Sequence, residues 1–363
     1  MKVISTNRIT KKQYIIKLFL ISLFLCSCNS FAQKNTGNIF SYEKEIAESE
    51  NYEQVEITFR NHIEDINLYG TLIKPSKTKF EKMIIIVPGS GLDTRNNHFL
   101  LTEYFLSKNI AVFRYDERGV NMSEGNNSNV TYGVTEMTED LISSVEVLNE
   151  KFKDKNIKLG LLGHSLGGLA TINAVKKIPE IDFIVQWAVP IQNYGEFFKY
   201  QIRTGVDTFE SELIFEDKEK KIEIISAIQD VVSKNPELDD LKLSKKLKKV
   251  TRKHGYKRKN YDRFTVWTFP SRKDLFRQNN EATYQNLTIP MLYIIGSDDK
   301  FVDPRSNTEL LKNFNNKMIS TSIMSGLNHY LTDQEIEHYQ MSKSLYNIDK
   351  KAVNTIIDWI QSL

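Results

Sequence analysis

Lys158-Leu159-Gly160-Leu161-Leu162-Gly163-His164-Ser165-Leu166-Gly167-Gly168-Leu169-Ala170 decides how the rest of the chain is read. Leu159 to Leu162 is a short apolar run, the pattern of a buried strand. Gly163-His164-Ser165-Leu166-Gly167 follows at once, and Leu166 to Val175 has the composition of a helix. A serine flanked by glycines two residues away on either side, at a strand-to-helix turn, is the setting of a nucleophile elbow. Such a turn is sharp, so the hydroxyl stands clear of the sheet. The glycines are needed where a Cβ would collide with neighbouring backbone. The helix beginning at the serine directs its free amides toward the reaction centre and favours negative charge there. A bare G-x-S-x-G recurs by chance; the strand before it and the second glycine after it set this one apart from a plain turn.

Working outward, the chain alternates strand and helix signals. Val55-Glu56-Ile57-Thr58-Phe59 and Ile66 to Ile73 alternate apolar and polar residues and read as an antiparallel hairpin. Met83 to Val87 is a continuous apolar run, the mark of a strand covered on both faces, and it stops at Pro88-Gly89-Ser90-Gly91. A helix is expected from about Asn97 to Ser107, a strand at Ala111 to Tyr115, and a helix within Thr131 to Phe152. After the elbow comes one more strand, Phe183 to Val189. This order indicates a parallel sheet wound on both faces.

The alternation breaks at Pro190. From there to about Asn286 the chain is charged and mostly helical in composition, at Ser211 to Lys234 and Leu238 to Val250, with an aromatic-rich Tyr261 to Pro270. It reads as an insertion over one end of the sheet. Strands resume at Met291 to Ile295 and near Met318 to Ile323, and a helix from Val353 to Leu363 closes the chain with Ile356, Trp359 and Ile360 inward. The expected organisation is a signal segment at 1–32, a linker at 33–50, a core in two parts at 51–190 and 287–363, and a helical cap at 191–286.

Composition is that of a globular chain, and the net charge of +3 is small. The basic run Lys242 to Lys259 reads as a solvated helical face, which gives no argument for nucleic acid as a partner. Lys11, Lys12 and Lys17 precede the apolar Leu18 to Leu25, a basic and then a hydrophobic region of secretory type. Two cleavage readings stand side by side. Ser30-Phe31-Ala32 before Gln33 suits an ordinary signal peptidase, and Leu25-Cys26-Ser27-Cys28 resembles a lipobox that would leave a lipid on Cys28 and a membrane anchor through it. Both cysteines of the chain lie in this segment, so the remainder has no disulfide or thiol chemistry. A bacterial protein of the periplasm, the exterior or the envelope is expected.

An activated serine needs a base, a group to orient the base, and donors for an oxyanion. Candidates occur in the order serine, acid, histidine, the order expected for this kind of elbow. In Gly296-Ser297-Asp298-Asp299-Lys300-Phe301-Val302-Asp303, Asp299 is the chosen acid, with Asp298 and Asp303 as rivals; alone, the stretch would pass for a solvated acidic turn. Of six histidines, His329 in Ser325-Gly326-Leu327-Asn328-His329 combines the right chain order with a loop after a strand. His164 adjoins the serine, but its side chain should point away from it. The backbone amides of Leu166 and Ser90 are the expected oxyanion donors. No His-Glu-x-x-His, no cysteine pair and no nucleotide fingerprint is present, so neither metal nor cofactor is expected.

With these residues in place the chain resembles the α/β-hydrolase superfamily, and more narrowly its secreted esterases grouped with serine-aminopeptidase-like hydrolases. Val87-Pro88-Gly89-Ser90-Gly91, Tyr115-Asp116-Glu117-Arg118-Gly119, Gly163 to Gly168, Gly296 to Asp299 and Asn328-His329 carry the resemblance, which spans about Val55 to the C-terminus. It implies an α/β-hydrolase fold: a mostly parallel central sheet, helices on both faces, and a helical cap insertion. It also implies Ser165 as nucleophile, Asp299 as acid and His329 as base. Val120-Asn121-Met122-Ser123 keeps only the serine of the relatives' Gly-x-Ser continuation, and Asp93-Thr94-Arg95 replaces their Asp-Arg. The implied activity is a carboxylesterase on small or medium acyl esters. A peptidase or acyltransferase with the same residues, and a binding protein on a hydrolase scaffold, are the competing expectations. Phe197, Phe198, Tyr200, Phe264, Trp267 and Phe269 could line an acyl pocket or form the core of the cap. Expression in a bacterium with intact secretion should yield a chain that begins at Gln33 or carries lipid on Cys28. Intact mass spectrometry decides, and a product that keeps residues 1–25 would remove the export reading.

Overall fold

Continuous apolar strands need cover on both faces, and here they form the middle of one eight-stranded sheet. The computed structural model describes residues 46–333 and 347–363, less 92, 129, 154, 207–214, 216 and 258–265. The expected export segment, the Gln33 end of the linker, Phe264 and His338 lie outside the described residues.

The strands are β1 (Tyr52–Asn61), β2 (Ile66–Pro75), β3 (Lys82–Val87), β4 (Ile110–Tyr115), β5 (Lys158–His164), β6 (Phe183–Trp187), β7 (Met291–Gly296) and β8 (Ile319–Met324). Their spatial order is β1-β2-β4-β3-β5-β6-β7-β8. β1 pairs antiparallel with β2, and β2 with β4; every later pairing is parallel. This is the α/β-hydrolase fold.

Three helices follow from the strand order: α1 (Phe99–Ser107) after β3, α2 (Val134–Phe152) after β4 and α3 (Leu166–Val175) after β5. From β3 the chain steps one way to β4, then from β4 back past β3 to β5 and onward. Right-handed crossovers put helices from opposite steps on opposite faces of the sheet. Accordingly α2 packs on α3, while α1 packs with the last helix, α10 (Lys350–Ser362). The change of direction falls between β3 and β5, and in open α/β sheets that is where a crevice forms beyond the carboxyl ends of the strands.

Between β6 and β7 lie α4 (Phe197–Thr204), α5 (Lys218–Ser233), α6 (Asp240–Lys253), α7 (Pro270–Arg277) and α8 (Glu281–Gln285). α9 (Pro304–Asn313) joins β7 to β8. Aspartates start several helices by accepting a free backbone amide: Asp217 from Lys220 at 2.7 Å, Asp239 from Lys242 at 2.8 Å and Asp349 from Lys351 at 2.8 Å. α4 is tied to the loop after β7, because Tyr200 Oη donates to the Asp299 carbonyl at 2.8 Å and Thr204 Oγ1 to the Lys300 carbonyl at 2.7 Å. Phe198, Trp267 and Phe276 are buried and pack ring on ring, so two of the candidate pocket aromatics belong to the core of this helical layer.

Two details depart from the sequence expectation. The strand expected to reach Val189 ends at Trp187, because Ala188 has φ 50° and turns the chain out of the sheet. α9 was not expected, although Asp303-Pro304 announces it: Asp303 Oδ1 accepts the amides of Arg305 and Ser306, and proline suits the first helical turn. The closing helix is as read for Ile356 and Ile360, which are buried with Val353 and Ile357, while Trp359 lies at the margin.

The hairpin is fastened to α2 through a buried pair. Arg118 Nη2 and Nε donate to the two oxygens of Asp140 at 2.8 Å, and Asn61 Nδ2 donates to Asp140 Oδ1 at 2.7 Å. Arg118 also reaches Glu64 in the hairpin turn. Removing one member of a buried pair strands the other, which costs about 3–5 kcal/mol. Asp140→Leu should lose stability of that order in urea unfolding, and Arg118→Met combined with Asp140→Leu should lose less than Asp140→Leu alone.

Candidate active site

Ser165 stands between β5 and α3 with φ 52° and ψ −117°, a conformation few non-glycine residues adopt. Its amide donates to the Trp187 carbonyl of the neighbouring strand at 2.8 Å, so the strained residue is held to the sheet on its donor side. The glycines of the motif have a steric reason. A Cβ on Gly163 would stand 2.5 Å from Gly168 Cα, and one on Gly167 would stand 2.2 Å from the Pro88 carbonyl oxygen. Loop 88–95 therefore passes directly over the elbow. Gly89 lies so near that a Cβ there would be 3.2 Å from Ser165 Cβ. The loops after β3 and β5, the two strands flanking the change of direction, thus meet at the serine.

The candidate acid and histidine arrive from the far side of the sheet. Asp299 follows β7 and His329 follows β8, and both are nearly inaccessible, at 1% and 4% exposure. Asp299 Oδ2 lies 2.7 Å from His329 Nδ1. The other oxygen, Oδ1, accepts the amides of Phe301 at 2.7 Å and Val302 at 2.9 Å. A carboxylate fixed by two amides presents its free oxygen to the ring in one orientation and selects the tautomer with the proton on Nδ1. The rivals are engaged otherwise: Asp298 accepts from the Ser297 hydroxyl at 2.7 Å in an exposed position, and Asp303 caps α9. Of the three aspartates, Asp299 is the one bonded to the histidine.

Ring packing joins His329 to the elbow. The His164 ring centroid is 5.1 Å from that of His329 and 4.4 Å from that of Trp187. Trp187 Nε1 donates to the His329 carbonyl at 3.2 Å, and the Phe301 ring covers the imidazole at 4.9 Å. Burial, followed by the neighbouring His329 and His98, pushes His164 well below the ordinary histidine value, so it stays neutral. Burial and the Arg114 cation bring His98 down to about 3. These two histidines are neutral packing around the site. The sequence names them without showing this role, which depends on contacts among four separate loops. Trp187 and Tyr200 were missed as support for the site. The burial of Tyr200, with Asp303 and Asp299 nearby, raises its hydroxyl to about 12 and keeps it a donor to the Asp299 carbonyl.

Ser90 and Leu166 sit where expected in the chain, one on the loop that crosses the elbow and one at the first position of α3. Among the described residues no group of three or more histidine, cysteine or acidic side chains is placed to hold a metal ion.

The sequence profile of the family described as serine aminopeptidase, S33, matches residues 78–337. No curated protein matches the chain in sequence. Among solved structures, esterase Pf2001 of Pyrococcus furiosus superposes with a TM-score of 0.54 at 14% identity, over 90% of this chain and 99% of that one. DcsB, in complex with its substrate analogue, gives 0.51 at 12% identity, over 85% of this chain and 99% of that one. At such identity these likenesses speak for the fold. Because Gly167 lies against backbone, Gly167→Ala should cost about 1–3 kcal/mol in chemical unfolding; an unchanged unfolding midpoint would contradict the close approach of loop 88–95 to the elbow.

Proposed function

Since the chain belongs to the serine aminopeptidase, S33, family of α/β hydrolases, we propose that it is a serine carboxylesterase acting on small or medium acyl esters. The observation that carries this reading is the 2.7 Å contact of Asp299 with His329, whose ring lies 5.1 Å from that of His164, the residue before the strained Ser165. In the proposed reaction His329 takes the Ser165 hydroxyl proton as the oxygen attacks the ester carbonyl. The tetrahedral oxyanion is held by the amides of Ser90 and Leu166, and the N-terminus of α3 adds a favourable field. Collapse expels the alcohol, which takes the proton from His329 and leaves an acyl group on Ser165. Water, deprotonated by His329, then releases the acid and restores the hydroxyl. Asp299 holds the ring throughout and favours the imidazolium that forms in each half.

A peptidase reading is favoured by the family's description. Against it stands the state of the cap's charges. Of Lys199, Arg203 and Arg272, the cations available there for a chain terminus, Lys199 is paired with Glu196 at 2.6 Å, and Glu196 also accepts from Gln229 at 2.8 Å. The secretory pattern at residues 11–32 leads us to place the activity outside the cytoplasm, with an anchor through Cys28 as the lipoprotein alternative.

p-Nitrophenyl acetate, butyrate and octanoate test the reading with protein lacking residues 1–32. Ser165→Ala and His329→Ala should each lower kcat at least about 10³-fold. Asp299→Asn should lose on the order of 10³-fold or more, and Asp298→Asn should stay within about threefold of the wild type. Equal turnover by wild type and Ser165→Ala would remove Ser165 as nucleophile. Cleavage of aminoacyl amides faster than any ester would replace the esterase by the peptidase.

A further inference from the structure

The loop that crosses the elbow is fastened at a second place, away from Ser165. Its attachment is the turn Asp116 to Gly119 after β4, and two neighbouring acids make it. Asp116 takes Arg95: the Arg95 amide donates to Oδ1 at 2.9 Å, and Nε and Nη2 donate to Oδ2 at 3.1 and 2.8 Å. Glu117 takes Asp93: the Asp93 amide donates to Oε2 at 2.8 Å, and the Glu117 amide donates back to the Asp93 carbonyl at 3.2 Å. The remaining oxygen, Oε1, lies 2.8 Å from the Tyr132 hydroxyl, in the segment before α2.

The two acids differ in charge compensation. Asp116 faces a guanidinium. Glu117 is 1% exposed, and the adjacent Arg118 directs its cation to Asp140 and Glu64 instead. A buried carboxyl without a paired cation is costly unless it is neutral or well bonded. Both of its oxygens are engaged here, one of them by the backbone of the loop over Ser165. Two residues separate Asp93 from Ser90 in that loop, and Gly89 is against Ser165.

We propose that Glu117 is a positioning residue: by holding the Asp93 amide it fixes the loop that carries Ser90 over Ser165. The proposal rests on the reading of Ser165 as nucleophile and of the Ser90 amide as an oxyanion donor. An oxyanion donor contributes only when it is held at the required distance before the charge develops. A loop fastened at Arg95 alone would leave its glycine-bearing part free to swing.

The surroundings also give the clamp a charge state. Facing Glu117 are Asp93 from the loop, Tyr132 from the segment before α2, Asp140 from α2, and Tyr115 at the end of β4; Asp116 and Arg118 are taken up by the partners named above. Burial and then Asp93 raise the Glu117 carboxyl to about 8, with Asp140 adding to the effect, while the Asp93 amide and Tyr132 hydroxyl act the other way. Below that pH the group is neutral, sharing a proton with the Tyr132 oxygen and accepting from the Asp93 amide. Above it a buried negative charge faces Asp93 and Asp140, and movement of the loop to admit water relieves it. Activity should therefore fall on the alkaline side as Glu117 ionises.

The test compares wild type, Glu117→Gln, Glu117→Ala and Ser165→Ala. kcat and KM for p-nitrophenyl butyrate are measured from about pH 6 to about pH 10, and amide hydrogen exchange of residues 89–95 is followed by mass spectrometry on the same proteins. Glu117→Ala should lose about 10- to 100-fold in kcat with KM within about threefold, a part of what a missing oxyanion donor costs, and its loop should exchange faster. Glu117→Gln can still accept from Asp93 and donate to Tyr132, so it should recover most of both losses. It cannot ionise, so the alkaline fall near pH 8 should disappear. Should Glu117→Ala not fold, wild type against Glu117→Gln decides: after correction for intrinsic rates, loop exchange rises above about pH 8 in the first and not in the second. An alkaline fall that persists in Glu117→Gln, or kcat and loop protection unchanged in Glu117→Ala, would overturn the proposal. If wild type and Ser165→Ala are alike on every ester, the serine-hydrolase reading fails, and loop exchange in the Glu117 variants still judges the clamp.

Discussion

Ser165 holds φ 52° and ψ −117° at the turn from β5 into α3, and much of the surrounding structure serves that conformation. Backbone in such a region costs about 1–3 kcal/mol and persists only where its neighbours over-determine it. Here the neighbours are identifiable. The Ser165 amide is bonded to the Trp187 carbonyl on one side, Gly163 and Gly168 meet backbone to backbone, and Gly167 lies beneath the Pro88 carbonyl. Neither Gly163 nor Gly167 can bear a side chain without moving backbone, and a Cβ on Gly168 would meet the Val189 and Gln186 side chains. The elbow is thus a contact between two loops as much as a property of one, and it exists because β3 and β5 are neighbours in the sheet.

That adjacency arises from the reversal of winding direction, and it divides the labour around the site. On one side of β5 the loop after β3 brings Gly89 against the serine. On the other side β7 and β8 supply Asp299 and His329, already bonded to each other. Trp187, at the end of the intervening β6, spans the gap: its carbonyl holds the Ser165 amide and its indole donates to the His329 carbonyl. The loop of Asp299 is braced as well from the helices between β6 and β7, through Tyr200 and Thr204 of α4. A shift of α4 would therefore reach His329 through the Asp299 loop.

Local pattern was enough for the parts of this molecule that local pattern determines. Continuous apolar runs at Met83 to Val87 and Leu159 to Leu162 become inner strands, and alternating runs at Val55 to Phe59 become the outer hairpin, because burial on two faces or one is written into composition. The placement of the candidates Ser165, Asp299 and His329 was legible for the same reason: each follows a recognisable strand. What escaped is long-range or short. Asp303-Pro304 opens α9 in a stretch searched for an acid rather than a helix. Asp298 and Asp299 are neighbours of equal chemistry, and only the turn after β7 decides which faces inward. The buried ring cluster of His98, His164 and Trp187 joins the residue before α1 to the ends of β5 and β6, which no spacing in the sequence encodes. Phe198 and Trp267 were legible as apolar, but whether an aromatic residue lines a pocket or fills a core depends on what stands opposite, here Phe276.

The same distinction bears on Asp116-Glu117-Arg118-Gly119, three successive charges that in isolation suggest a solvated turn. All three are buried: Asp116 and Glu117 hold Arg95 and Asp93 of loop 88–95, Glu117 also meets Tyr132, and Arg118 takes Asp140. A four-residue turn therefore ties the loop over Ser165, the approach to α2 and α2 itself into one unit. Replacing such a cluster with apolar residues could preserve or even raise stability, since buried charges gain little over good packing. Apolar side chains could not, however, grip the backbone amides of Asp93 and Arg95. What the charges at these positions contribute is the geometry they enforce on loop 88–95, where it crosses Ser165, rather than added stability.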